Sequence, residues 1–256
     1  MPIRRPIAAA IIGVLFSWSR AAAQDLTIAA ASDLQAVLPA IAAQFEKETG
    51  HKVALTFGSS GNFYTQIQNG APFDVFMSAD IDYPKRLEQS GLAERGSLVE
   101  YATGRIVLWT RKDSGVDLKA GLASVADARV KRIAIANPAH APYGRAAVAA
   151  LRHEMLYDRV RSKFVLGENI SQTAQFAQSG NAEVGIVALS LALGQTLSND
   201  GTYVEIPANF HPPIEQAAVV VAKSTKKDLA RQFVDLLKQP ATAKLLQSYG
   251  FATNQR

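Results

Sequence analysis

Residues 26–34, LTIAAASDL, and 53–62, VALTFGSSGN, decide the fold. In each, a short apolar run ends in small polar residues, and a helical pattern follows. An apolar run of about six residues bounded by turn signals reads as a strand, and Ser, Asp and Asn favour helix starts. Leu26–Ala31 is therefore predicted as a strand, Leu34–Glu48 as a helix ending at Gly50, Val53–Phe57 as a strand and Asn62–Gln68 as a helix. The alternation continues along the chain. Further strands are predicted at Val75–Ser78, Ile106–Thr110, Ile133–Ala136, Lys163–Leu166, Val184–Ala188 and Ala217–Ala222. Further helices are predicted at Lys85–Gln89, Arg145–Met155, Thr173–Gln178, Lys227–Lys238 and Ala241–Tyr249. This pattern predicts an α/β protein with mainly parallel sheets.

No long Gly/Ser/Pro linker divides the chain. Its softest joints are Tyr101–Arg105 (YATGR) and Asn209–Pro213 (NFHPP), each followed by a strand. Two crossings at these joints give a discontinuous lobe I, residues 24–104 plus 214–256, and a continuous lobe II, residues 105–213. A cleft between the lobes is expected.

Ahead of this stands a different kind of sequence. Arg4 and Arg5 precede Ile7–Phe16, an apolar run of 10 residues, and Ala21-Ala22-Ala23 gives an A-x-A end. These are the parts of a secretory signal over residues 1–23, cleaved after Ala23. The run is shorter than the ~20 apolar residues that span a bilayer. Arg4-Arg5 leaves both the general and the twin-arginine export routes open. The expected place of work is the periplasm. The chain of 256 residues carries +5, but from Gln24 onward 24 bases face 22 acids, so no nucleic-acid partner is expected. The absence of cysteine excludes disulfides, thiolate metal sites, cysteine nucleophiles and a lipid anchor on cysteine. A monomer is expected.

Most catalytic signatures are missing. There is no phosphate loop and no G-x-G-x-x-G turn. Gly58-Ser59-Ser60-Gly61 lacks the spacing of a nucleophile elbow. His51, His140, His153 and His211 are scattered, without metal-ligand spacing. No cofactor, no directly bound metal cation and no enzymatic activity are expected.

What survives is one arrangement met four times: a strand ends, a short polar turn follows, and a helix begins. The turns are Ala30-Ala31-Ser32-Asp33, Phe57–Asn62, Asn137–Gly144 and Gly167–Ser171. The first turn of a helix presents unpaired N–H groups and the positive end of its dipole, so it can hold an anion without a charged side chain. A single such turn is more often an ordinary cap. Two turns before residue 105 and two after it would let both lobes grip one small anion.

The strings AAAS (Ala29–Ser32), FGSSG (Phe57–Gly61), GAPFDVFMSAD (Gly70–Asp80), NPAHAPYG (Asn137–Gly144), GIV (Gly185–Val187) and Tyr249-Gly250-Phe251 resemble the periplasmic molybdate-binding proteins of ABC importers. The likeness covers the chain after the signal, in order. It implies a type II periplasmic-binding-protein fold that captures molybdate or tungstate and delivers it to a membrane permease. Carried over residue by residue, it implies that Ser32 and Ser60 are hydroxyl ligands and that Tyr143 and Ile170 offer backbone N–H groups. Asp33, Ser59 and Asn169 are further candidates. Ala188 departs from the pattern, because some members place a tyrosine donor there.

Sulfate and phosphate are alternative ligands of the same fold. A ferric-ion binder is disfavoured, since no adjacent tyrosine pair occurs. From another class, a secreted serine hydrolase would use Ser59 or Ser60 with a nearby histidine and acid. Asp33 has two readings: its carboxylate caps its own helix while its N–H faces the ligand, or the carboxylate faces the cleft.

Overall fold

The structure is a computed structural model that describes residues 25–253. The expected signal, residues 1–23, lies outside the described residues. The strands are β1 (Leu26–Ala31), β2 (Val53–Gly58), β3 (Val75–Ser78), β4 (Val99–Gly104), β5 (Ile106–Arg111), β6 (Ile133–Ala136), β7 (Phe164–Gly167), β8 (Val184–Ala188), β9 (Gly201–Glu205) and β10 (Ile214–Val220). They form two five-stranded sheets, β2-β1-β3-β10-β4 and β7-β6-β8-β5-β9. Helices connect the strands, giving the two-lobed α/β fold.

The expectation of mainly parallel sheets holds for the direction of four strands in each sheet, with one opposed strand in each. β1 runs parallel to β2 and β3, and β6 runs parallel to β7 and β8. β10, however, is antiparallel to β3 and β4, and β5 is antiparallel to β8 and β9. The reason is the path of the chain. Each opposed strand is the first one laid down after the chain crosses to that sheet, so no helical crossover turns it parallel. The Tyr101–Arg105 joint is also not a loose turn. Tyr101–Gly104 belong to β4, Tyr101 and Ala102 are buried, and Arg105 alone separates β4 from β5. The first crossing is thus nearly continuous extended chain. The second contains the short 3-10 turn Ala208–Phe210 and then His211–Pro213.

The apolar runs look unbroken in sequence because both faces of the first sheet are covered. Leu26, Ile28 and Ala30 of β1, with Val75 and Met77 of β3, pack on one face with Ile41 and Phe45 of the Leu38–Thr49 helix. The intervening Ala29 and Phe76 pack on the other face with Phe63 and Ile67. This is the period of two expected of strands. The second sheet has its own core, with Trp109 of β5 fully buried. The helix expected from Leu34 is divided in two: a 3-10 turn, Ser32–Ala36, precedes the helix Leu38–Thr49. Pro39 sits in that helix's first turn, where its missing N–H is no loss. Gly50 ends it with φ 77°, as expected of a left-handed cap.

One glycine fixes how a helix seats on the second sheet. A Cβ at Gly144 would lie 2.0 Å from the carbonyl oxygen of Ala136, at the end of β6. That contact is to backbone, which cannot swing aside. Gly144→Ala should therefore lower stability by about 3 kcal/mol, the upper end of ordinary overpacking. Urea unfolding of the two proteins measures it, and a loss below about 0.5 kcal/mol would contradict this packing.

Candidate functional site

The four polar turns converge. Ser32 and Asp33 open the 3-10 turn after β1, and Ser60 opens the helix Ser60–Gln68 after β2. Tyr143 lies in the first turn of the helix Pro142–His153, and Ile170 begins the helix Ile170–Gln178 directly after β7. All five, with Ser59, border one small cavity between the sheets. Two larger grooves, one lined by glutamines such as Gln35 and Gln178, the other by Asp80, Arg145 and Glu215, show no such convergence.

Backbone N–H groups in the first turn of a helix have no partner within it, which leaves those of Tyr143 and Ile170 to other acceptors. The serines divide by where their single hydrogen goes. Ser60 Oγ accepts the Ala79 N–H at 3.0 Å, and Ser32 Oγ accepts the Ser171 N–H at 3.3 Å. Each hydroxyl keeps its hydrogen for something else. Ser59 Oγ instead donates to the carbonyl of His140 at 2.7 Å. Asn169 is occupied as a helix cap: its Oδ1 accepts the Gln172 N–H at 3.0 Å and the Ser171 hydroxyl at 2.8 Å.

Asp33 does not cap its own helix; its carboxylate bonds to two distant side chains and not to the N–H groups of the turn that follows. The reading in which the carboxylate turns back is corrected. Oδ2 accepts from the Tyr143 hydroxyl at 3.0 Å and from Gln216 Nε2 at 2.6 Å. Gln216 Oε1 in turn accepts from the Tyr101 hydroxyl at 2.9 Å. The polar partners are stronger attractions for a buried carboxylate than the short 3-10 turn. The residue is wholly buried, and loss of water pushes its pKa up to about 6, against the opposing pull of the Gln216 and Tyr143 hydrogen bonds. Burial, helped by the Asp33 charge, raises both phenols well above 10. Tyr143 thus supplies the cavity with backbone while its phenol is spent on Asp33. A Cβ at Gly104 would come 2.2 Å from that phenol oxygen, so glycine is what lets the phenol reach the crossing strand.

Several residues here escaped sequence reasoning. Ser190 donates to the Asp33 carbonyl at 2.7 Å. Arg145 pairs with Asp80 and lies over the Tyr83 ring. Asn62 donates to Glu168. All of these bonds join the two sheets. Gln216 carried the one available signal, a polar residue inside the otherwise apolar run of β10, where it is 0% exposed.

His140 creates a likeness to a Ser-His-Glu triad. Its Nδ1 is 2.9 Å from Ser59 Oγ and its Nε2 is 3.7 Å from Glu168 Oε1. The polarity is reversed, however. Ser59 has already given its hydrogen to the His140 carbonyl, so Nδ1 must donate to Oγ, whereas a general base must accept from it. Among the described residues no group of three or more His, Asp or Glu is placed to hold a metal ion. No helix among them is long and apolar enough to cross a membrane.

The sequence profile of the bacterial extracellular solute-binding proteins matches residues 26–252. The chain belongs to that family. It is 41% identical to a molybdate-binding protein of Azotobacter vinelandii, over 90% of this chain and 91% of the relative. It is 38% identical to a molybdate-binding protein of Rhodobacter capsulatus, over 91% of this chain and 90% of the relative. The solved structure of a periplasmic molybdate-binding protein from Azotobacter vinelandii superposes with a TM-score of 0.84 at 36% identity, covering 90% of this chain and 100% of that one.

Burial of Asp33 makes stability depend on pH. In the folded chain its proton is held to about pH 6; in the unfolded chain it leaves near 3.8. Between these values the folded form binds the extra proton, so stability falls as pH rises through the window and stays lower above it. The size is on the order of 2–3 kcal/mol. Asp33→Asn removes the titration. Relative to wild type, the variant should gain about that much between pH 4 and pH 7.5 in urea unfolding. An unchanged difference across the window would mean that Asp33 is not buried as a carboxylate.

Proposed function

We propose that the chain is an extracytoplasmic receptor that captures molybdate, or the closely similar tungstate, and hands it to an ABC permease. The observation that carries this reading is the convergence of four strand-to-helix turns from both sheets on one cavity, where neutral donors stand beside the single carboxyl of Asp33. Ser32 and Ser60 would donate their unspent hydroxyl hydrogens, and Tyr143 and Ile170 their first-turn N–H groups. Asp33 contributes through its own N–H or its side chain. Ser59 and Asn169, engaged elsewhere, would act by shaping the turns. The relatives that carry the name molybdate-binding favour this anion over sulfate or phosphate.

The protein would do no chemistry on its ligand and need no cofactor or metal cation. A serine hydrolase is disfavoured by the direction of the Ser59–His140 hydrogen bond. Lobe I is assigned to residues 24–104 plus 214–256 and lobe II to 105–213, which places β4–β5 and the Ala208–Pro213 segment at the crossings. A signal ending at Ala23 would send the chain to the periplasm, where a monomer, bound to no nucleic acid, would meet the permease. Neutral donors suit a carrier. They replace the water stripped from the anion, yet opening the cleft separates no buried ion pair.

A ligand that binds only the folded state stabilises it by about 2.7 kcal/mol at a hundredfold excess over Kd. Molybdate and tungstate should therefore raise the melting temperature by several degrees, and sulfate and phosphate should do less. Ser32→Ala and Ser60→Ala should each weaken molybdate binding by about 1.5–3 kcal/mol, the scale of a hydrogen bond to a charged partner. Absence of any thermal shift with millimolar molybdate and tungstate would remove the assignment.

A further inference from the structure

Asp33 leaves one atom unexplained. Oδ2 is saturated by Tyr143 and Gln216, but Oδ1 is buried and meets no donor from any other residue, the one further pull on the carboxylate coming from Asp33's own N–H. The residue borders the same cavity as Ser32, Ser60 and Tyr143. Four elements pack polar groups against it: Tyr101 of β4, Tyr143 of the Pro142–His153 helix, Gln216 of β10, and Ser190, which bonds its carbonyl. None of them is a cation, and the two titratable ones are phenols kept neutral. The Arg145 guanidinium at the cleft pairs with Asp80, and Glu168 lies 3.7 Å from His140 Nε2.

A dianion in this cavity would face a bare carboxylate oxygen in a medium that screens poorly, with no positive charge to offset it. A proton on Oδ1 reverses the contact, because a protonated carboxyl is a donor. Resting on the oxyanion reading above, we propose that ligand capture is proton-coupled: Asp33 takes one proton from solvent onto Oδ1 as the dianion enters, and the resulting carboxylic acid donates a hydrogen bond to a ligand oxygen. The raised pKa of Asp33 places the change within reach of neutral pH.

Linkage fixes the consequence. Where empty Asp33 is ionised, affinity falls about tenfold for each unit of rising pH, and where it is already protonated, affinity is flat. Asp33→Asn places a permanent Nδ2 donor in the same position, so it should bind molybdate without that dependence.

The test is calorimetric titration of the signal-free protein with sodium molybdate at pH 7.5, in two buffers of different ionisation enthalpy. Wild type should take up about one proton per molybdate, and its Kd should rise about tenfold per unit between pH 7 and 8.5. Asp33→Asn should show no uptake and a flat profile. Wild-type binding without proton uptake overturns the proposal, and so does uptake that persists in Asp33→Asn, which would move the proton to a group such as His140. Preferred binding of phosphate without net uptake would also overturn it, since an ionised Asp33 would then accept the ligand's own proton. If Asp33→Asn does not fold, His140→Gln takes its place: uptake retained in His140→Gln supports the proposal, and uptake lost with it overturns it. No binding of molybdate, tungstate, sulfate or phosphate would instead overturn the oxyanion site itself, and this proposal with it.

Discussion

Burying the Asp33 carboxylate without a cation is the constraint around which the centre of this molecule is arranged. A carboxylate taken out of water needs donors, and three separate elements supply or support them. Tyr143 reaches across from the second sheet, Gln216 from β10 of the first, and Tyr101 holds Gln216 in place from β4. Those bonds set where the Pro142–His153 helix begins relative to β1. They thereby set where the Tyr143 backbone meets the turn that carries Ser32. Gly104 belongs to the same arrangement, since any side chain there would occupy the phenol's position. The cavity is the space left once these requirements are met.

The hydrogen bonds between the sheets fall into two groups with different consequences. Around Asp33 they are buried and would be left unsatisfied if one partner alone were lost, which makes each removal expensive. Nearer the surface, Asn62 with Glu168 and Arg145 with Asp80 are partly exposed, and such pairs contribute little individually. The closed arrangement therefore rests on the inner group.

Much of this was legible in the chain before any coordinates. The apolar runs fixed β1, β3, β6 and β8 to the residue, because strands covered on both faces leave an unmixed apolar signature. The four polar turns were visible as well, since small polar residues after such runs are the chemistry of helix starts. What stayed hidden depends on the far side of the chain. β4 was read as a joint because YATG has weak strand character alone; its partner β10 lies more than a hundred residues away and makes it a strand. The antiparallel insertions were hidden for the same reason. The two readings of the Asp33 carboxylate stay open in the sequence because local spacing cannot reveal Tyr143 and Gln216. His140 shows no metal-ligand spacing in the sequence, and its contact with Ser59 across 81 positions is likewise invisible there.

The inner network also bears on release. Tyr143 and Ser190 belong to elements packed on the second sheet, whereas Asp33 and Gln216 belong to the first. Separating the sheets takes away the phenol and admits water to the carboxylate. Two effects then oppose each other. Opening breaks the Tyr143–Asp33 hydrogen bond, which favours staying closed. It also hydrates a group whose burial disfavours its charged form, which favours opening whenever Asp33 is ionised. The raised pKa, with loss of water as its largest cause, means that the buried surroundings favour the neutral carboxyl over the ionised one despite the hydrogen bonds from Gln216 and Tyr143. Ionising Asp33 thus makes closure less favourable than it is with the neutral carboxyl, and a ligand that stabilises the neutral carboxyl favours closing. A receptor needs this sign: the closed state should be favourable only when something is inside it, because a ligand shifts an equilibrium only by its differential affinity for the two states. Placing a carboxylate where a second neutral donor would have bound the anion as well gives up affinity at high pH, and in exchange it disfavours closure on an empty cavity.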